Sequence, residues 1–351
     1  MKNFLRFGIV IFWIVVIFTL LYTRSGSSQP KKQTLNILAW SDIFDDASVR
    51  AFEKKSGMQV SFSYFDTNEE LLVKLHATGG KGHDLIVASD YAIKMLREDG
   101  LLMPLDHSKL DFTHRLHPKL LNHDFDPENQ YSLPFQWEVY GLSYNSQYFA
   151  DGIESSWKQV FEKNSHRVGM VNDPIEAINI ASFYLHGKKN TLSASKVRAT
   201  GKLLCEQRNN VEAYADFRVG YLIATKNCPI AVSASSYNYR MIKDYPFIHF
   251  TIPKEGSFIT IESVAILVHS EKTDAAHNFL NSVYRKKHTQ QRTEQFAAFP
   301  PTTDNLPPNI SPEYQATYYD ALSRFDSFSF LRHLTAEATL RDLWIEVKSH
   351  K

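Results

Sequence analysis

Asp84-Leu85-Ile86-Val87-Ala88-Ser89-Asp90-Tyr91-Ala92-Ile93 is the stretch that decides the fold. Its first five residues place four apolar side chains in a row, the pattern of a strand buried on both faces. Ser89 and Asp90 then bring helix-capping chemistry, Ile93, Met95 and Leu96 form an apolar helical face, and Gly100 is placed to end the helix. The same unit recurs upstream. Leu35-Asn36-Ile37-Leu38-Ala39-Trp40 reads as a strand, Ser41-Asp42 as an N-cap, Val49, Phe52 and Lys55 as a helix, and Gly57 as its end. Val60 to Tyr64 alternates as a strand, and Asn68-Glu69-Glu70 opens a helix reaching Leu75.

The second half repeats this texture. Arg167-Val168-Gly169-Met170-Val171 reads as a strand, and Asp173-Pro174 as an N-cap followed by a first-turn proline. Pro229-Ile230-Ala231-Val232-Ser233 is another strand, residues 258–260 and 264–268 are strand-like, and residues 274–284 are helical. Strands alternating with helices predict parallel sheets covered on both faces. At 351 residues, 43% hydrophobic and 22% charged, the chain is long enough for two such α/β domains. The net charge of +1 gives no bulk attraction for nucleic acid. No zinc-type spacing, P-loop, G-x-S-x-G elbow or nucleophile–base pair is present, so the chain reads as a binding protein without cofactor or metal and not as an enzyme.

Lys2 and Arg6 precede an apolar run over residues 7–22, followed by Arg24 and the polar Ser25-Gly26-Ser27-Ser28-Gln29-Pro30. A basic start and an apolar run make an export signal. Residues 1–33 are therefore expected to be either a cleaved signal peptide or a membrane anchor through residues 4–22, with a linker. The mature chain is expected in the periplasm. In that oxidising compartment Cys205 and Cys228 are a candidate disulfide, worth roughly 3 kcal/mol, the other reading being two unrelated buried thiols.

Short polar turns follow the strands: Trp40-Ser41-Asp42, Ser89-Asp90-Tyr91, Asn172-Asp173 and Ser233-Ala234-Ser235-Ser236. Ligands of open parallel sheets bind at such carboxyl ends. Glu176 lies one helical turn beyond Asp173, on the same face. Glu262 interrupts an apolar run, where a carboxylate is costly without a partner. Trp137-Glu138 falls in an expected crossing segment between the lobes.

These residues resemble the polyamine-binding proteins of bacterial ABC importers, the spermidine/putrescine type. The series Leu38-Ala39-Trp40, Phe52-Glu53-Lys54-Lys55-Ser56-Gly57, residues 82–91, Glu98-Asp99-Gly100-Leu101-Leu102, residues 105–110, residues 126–134 and Pro253-Lys254-Glu255-Gly256 carries the resemblance in order. It implies a type II periplasmic binding protein, with two α/β lobes and a ligand cleft between them that closes on its ligand. The expected division is 34–138 with 263–305 as lobe 1, and 139–262 with 306–351 as lobe 2. The implied ligand is a polyamine and the implied partner an ABC permease of the inner membrane.

By the same resemblance, Trp40, Ser41, Asp42, Ser89, Tyr91, Asp173, Glu176, Glu262, Phe299 and Asp326 fall on ligand-contacting positions, and Trp137 is expected to wall the cleft. Two further cleft tryptophans of the family are replaced by Ser233 and Thr260, and Ile43 or Phe44 replaces another aromatic. The acids are kept while the aromatic box is thinned. A membrane-anchored sensor or interaction protein on the same scaffold is the competing expectation.

Overall fold

The computed structural model describes residues 8, 11–19, 33–162, 166–215 and 219–350. Among the described residues, eleven strands form one curled sheet: β1 (Thr34–Ala39), β2 (Gln59–Tyr64), β3 (Leu85–Ser89), β4 (Leu102–Met103), β5 (Ser132–Asn145), β6 (Val168–Val171), β7 (Val211–Ala215), β8 (Ile230–Ala234), β9 (Ile248–Thr251), β10 (Phe258–Leu267) and β11 (Ser329–Phe330). The main path is β2-β1-β3-β10-β5-β8-β6-β7. β1 runs parallel to β2 and β3, and β6 runs parallel to β7 and β8. These two parallel units are the ones the strand–helix alternation predicts.

Between them lie β10 and β5, which pair antiparallel with each other and with the flanking units. The sequence reading anticipated two short segments where β10 is a single ten-residue strand. β5 changes partners midway. Ser132 to Val139 pair with β10, and Tyr140 to Tyr144 pair with β8. The strand therefore belongs to both halves.

Each half is an α/β lobe covered on two faces. In the first, Leu38, Ile86 and Ala88 point into one core with Ile93 and Leu96, while Ile37, Leu85 and Val87 point into another with Phe52 and Phe279. This is the period-two alternation of a strand, with both sides apolar. In the second lobe, Val168 and Met170 pack with Ile178 and Leu204, and Ala231 packs on the opposite side with Val219 and Ile223. Such a lobe cannot tolerate solvent on either sheet face, which is why its strands read as continuous apolar runs.

Two sequence expectations need correction. The first helix starts at Asp46, not after Ser41-Asp42, because Asp45 caps it by accepting from the Ser48 N–H at 2.8 Å. Asp42 instead occupies a left-handed turn at φ 56°. Second, Cys205 and Cys228 are unpaired buried thiols. Cys205 packs in the core with Leu204 and Leu343, and Cys228 packs in the opposite core with Val219 and Ile248, so the sheet separates them. Residues 7, 9, 10 and 20–22 of the apolar run and the polar linker lie outside the described residues. Residues 11–19 are helical, and among the described residues no helix is long and apolar enough to cross a membrane.

Two outcomes follow from this packing. A thiol reagent is expected to label neither cysteine in the native chain and both in guanidinium, with an intact mass that reductant leaves unchanged; a mass shift on reduction would overturn the separation of the thiols. Gly141 sits where β5 crosses β9, and a Cβ there would meet the Thr251 carbonyl oxygen at 2.4 Å and the Phe250 ring at 2.6 Å. Gly141→Ala is therefore expected to lower stability by about 1–3 kcal/mol in denaturant titrations.

Candidate functional site

The site is built on the two crossing strands. On β5, Gln136 and Glu138 are partly exposed while Phe135, Trp137 and Val139 are fully buried. Alternation puts Gln136, Glu138 and Tyr140 on one face. The register sets Thr260 opposite Glu138, and Glu262 opposite Gln136 on one side and Ser89 of β3 on the other. The same sheet face thus carries Glu138, Tyr140 and Glu262.

Glu262 accepts a hydrogen bond from the Trp40 indole N–H at 2.7 Å. Burial pushes its carboxyl up to about 8, against that hydrogen bond and with help from Glu138 and Asp90 nearby. Glu138 is also held above the usual glutamate range, chiefly by burial; the hydroxyl of Ser236 and the charge of Arg240 work the other way. Asp90 is buried, accepts from the Ile261 N–H at 2.9 Å and is pushed up to about 7 by burial.

The second lobe supplies the remaining acids from the helix Pro174–His186. Asp173 caps it, accepting from the Glu176 N–H at 2.8 Å. Burial raises the Asp173 carboxyl to about 6, and the charge of Glu69, from the first lobe, adds to the effect. Glu176 accepts from the Tyr140 hydroxyl at 2.6 Å. Tyr237 joins the two groups of acids. Its phenol is pushed up by burial first, then by Glu138, with Glu176 and Glu262 also contributing. The phenol of Tyr140 rises for the same reasons, with burial first and Glu176 next. Carboxylates from both lobes therefore act on two tyrosines.

The first lobe closes the site with Trp40 and Tyr91. Trp40 rests against Phe65 at 4.3 Å between ring centres. The Tyr91 hydroxyl is 2.8 Å from His333 Nε2, and the two rings lie 5.0 Å apart. The backbone of Arg332 accepts from Asn179 on the second-lobe helix at 2.8 Å. The segment carrying His333 thus spans from one lobe to the other.

Of the positions expected from the sequence, Trp40, Tyr91, Asp173, Glu176 and Glu262 come together. Ser89 lies beside them in register with Glu262, but it is buried and its hydroxyl donates to Asn68 at 2.9 Å. Ser41 and Asp42 are exposed, and Asp42 borders a hollow of about 170 Å³ with Trp40, Phe44, Phe62 and Tyr64. Trp137 and Phe299 are 1% and 0% exposed and pack on each other, on Tyr318 and, through Phe299, on Tyr314. They are core on the reverse face of β5, which alternation requires once Glu138 faces the acids. Asp326 is a surface residue with a side chain 90% exposed, 3.3 Å from Lys119.

Four contributors were absent from the expected set: Glu138, Tyr140, Tyr237 and Asp90. Parity along β5 could have chosen Glu138 and Tyr140 over Trp137. No sequence pattern marks Tyr237, whose place depends on how the short helix Ser235–Met241 leaves β8. Ser233 and Thr260, which stand where the resembled family has tryptophans, are buried small residues.

Comparison with known proteins agrees with this architecture. The putrescine-binding periplasmic protein PotF of Escherichia coli K12 is 28% identical over 284 residues, covering 74% of this chain and 75% of the relative. The putrescine-binding periplasmic protein SpuD of Pseudomonas aeruginosa is 26% identical, covering 95% and 97%. A solved structure described as a putative spermidine/putrescine ABC transporter from Listeria monocytogenes superposes with a TM-score of 0.80 at 27% identity, covering 91% of this chain and all of that one. The profile of the bacterial extracellular solute-binding proteins matches residues 47–318. A two-lobed α/β scaffold, crossing strands that present their acids to one face, and this match over most of the chain place the protein in the bacterial extracellular solute-binding protein family.

Proposed function

We propose that this chain captures a linear polyamine, of the putrescine or spermidine kind, between its two lobes and delivers it to an ABC permease. The observation that carries the reading is a set of desolvated carboxylates, Glu262, Glu138 and Asp173, from both lobes. Burying such charges without partners is unfavourable. A ligand that brings ammonium groups offsets that cost, and its methylenes can lie on Trp40, Tyr91, Tyr140 and Tyr237 with cation–π support of about 0.5–2 kcal/mol per good contact. Among the described residues, no three His, Cys, Asp or Glu side chains converge as a metal site. The names of the relatives support the same ligand class.

In this reading the lobes divide near Glu138 and Glu262 on the crossing strands, with 34–138 and 263–305 on one side and 139–262 and 306–351 on the other. Ligand closure brings Glu262 and Trp40 against Asp173 and Glu176. The N-terminal basic and apolar residues direct export to the periplasm, as a cleaved signal or as an anchor through residues 4–22.

Titration calorimetry with putrescine and spermidine tests the ligand. Glu262→Gln and Asp173→Asn are each expected to weaken binding by roughly 10- to 100-fold, the scale of a lost charge-assisted hydrogen bond. Full affinity in both variants would refute the site.

Protonation gives a second test. Glu262 keeps its proton to about pH 8 in the folded chain, whereas an unfolded glutamate loses it near pH 4.3. Between those values the folded state binds more protons than the unfolded one, so stability without ligand falls as pH rises through this window. The melting temperature of the ligand-free chain is therefore expected to drop from pH 5 to pH 8, less steeply in Glu262→Gln. Putrescine affinity is expected to move oppositely, strengthening from pH 6 to pH 8.5 as the carboxyl ionises. A ligand affinity independent of pH over that range would contradict the role of Glu262.

A further inference from the structure

Tyr91 and His333 meet from opposite lobes, and each is anchored on its own side. Tyr91 is the second residue of the helix Asp90–Glu98. The side chain of Asp90 accepts from the Ile261 N–H at 2.9 Å, which ties the start of this helix to β10. His333 is held on the second lobe through both of its chain neighbours. The Arg332 carbonyl accepts from Asn179 at 2.8 Å, and the Leu334 carbonyl accepts from the Leu192 N–H at 2.8 Å. Leu331 packs on the core that contains Ile178, Leu204 and Leu343. The imidazole is thus fixed to the second lobe while its partner is fixed to the first.

The Tyr91 hydroxyl is 2.8 Å from His333 Nε2, and the two rings are tilted by 32°. Burial first, and then the charges of Glu69, Glu337 and Asp173, hold the phenol above its ordinary range, so the hydroxyl keeps its proton. A hydroxyl donates to an unprotonated ring nitrogen and accepts from a protonated one, so the pairing survives either state of the imidazole. A second bridge runs beside it. Arg332 Nη1 is 3.5 Å from Asp124 Oδ2 on the first lobe and 3.4 Å from Asn190 Oδ1 on the second. That ion pair is open to solvent and contributes little by itself, which leaves the partly buried Tyr91–His333 bond as the stronger tie.

Resting on the polyamine reading, we propose that His333 is a positioning residue that latches the two lobes through Tyr91 and sets how long a bound polyamine is retained. Release requires the lobes to part. Parting them breaks the Tyr91–His333 bond or draws Tyr91 away from Trp40 and Glu262. Capture from solution precedes formation of the bond. The latch therefore acts on the dissociation rate, where most differences in affinity between related complexes lie.

The test is stopped-flow tryptophan fluorescence with putrescine on the full chain, on His333→Phe, on Tyr91→Phe and on the double variant. His333→Phe keeps a ring against Tyr91 and removes the hydrogen bond; His333→Ala makes the same comparison if the Phe variant does not fold. Each single variant is expected to raise the dissociation rate by roughly fivefold, the scale of one hydrogen bond, with the association rate unchanged. The double variant is expected to match either single one, because both changes remove the same bond. His333→Gln, whose amide reaches the place of Nε2, is expected to restore a rate close to wild type. Unchanged dissociation in both single variants, or effects that add in the double one, overturn the latch while the polyamine reading stands. A wild type that binds neither putrescine nor spermidine overturns both.

Discussion

The antiparallel pairing of β5 with β10 is the constraint on which the rest of the molecule depends. It joins two parallel units that have no other sheet contact on the main path. Its register also fixes which side chains meet. With Thr260 opposite Glu138 and Ile261 opposite Trp137, a strand's two-residue period sorts polar groups to one face and aromatics to the other. A slip of one residue would bury Glu138 among Phe299, Tyr318 and Phe325 and expose Trp137. Trp137, Phe299 and the tyrosines Tyr314 and Tyr318 of the helix Pro312–Ser323 therefore act on the site from behind, by holding the register that aims the acids.

Much of the scaffold was legible because its strands are buried on both faces. Residues 84–88 and 229–233 show uninterrupted apolar character bounded by capping residues, and the structure has β3 and β8 there, one residue further on. The Asp173-Pro174 cap was legible for the same reason, since a cap and a first-turn proline are local chemistry. The antiparallel insertion of β5 and β10 was not, because strand direction is set by connections between distant segments. The first helix misled by two acids in series: Asp42 and Asp45 both suit an N-cap, and only the turn at Asp42 reveals which one does it.

The site was legible where a residue type was locally out of place. Glu262 interrupts an apolar strand, and the cost of that position pointed to a role. Trp137 was expected to wall the cleft from its place in a crossing segment, but that place does not give the side of the strand on which a residue stands. Tyr237 and Arg240 carry no local signal, and their meaning comes from the turn after β8 that brings a short helix over Glu138.

The same electrostatics link occupancy to lobe closure. The charge of Glu69 of the first lobe makes Asp173 of the second harder to ionise. Bringing the lobes together without a cation sharpens that opposition, since the dielectric falls as water leaves. The Tyr91–His333 hydrogen bond works in the other direction, tying the first-lobe helix Asp90–Glu98 to a segment seated on the second lobe. The balance between the two is sensitive to charge in the cleft. An ammonium between Glu69 and Asp173 changes a repulsive pair into two attractive ones, so the closed arrangement gains more from the ligand than an open one does. A ligand shifts a conformational equilibrium only by such a difference in affinity between the two states, and opposing acids on separate lobes supply it.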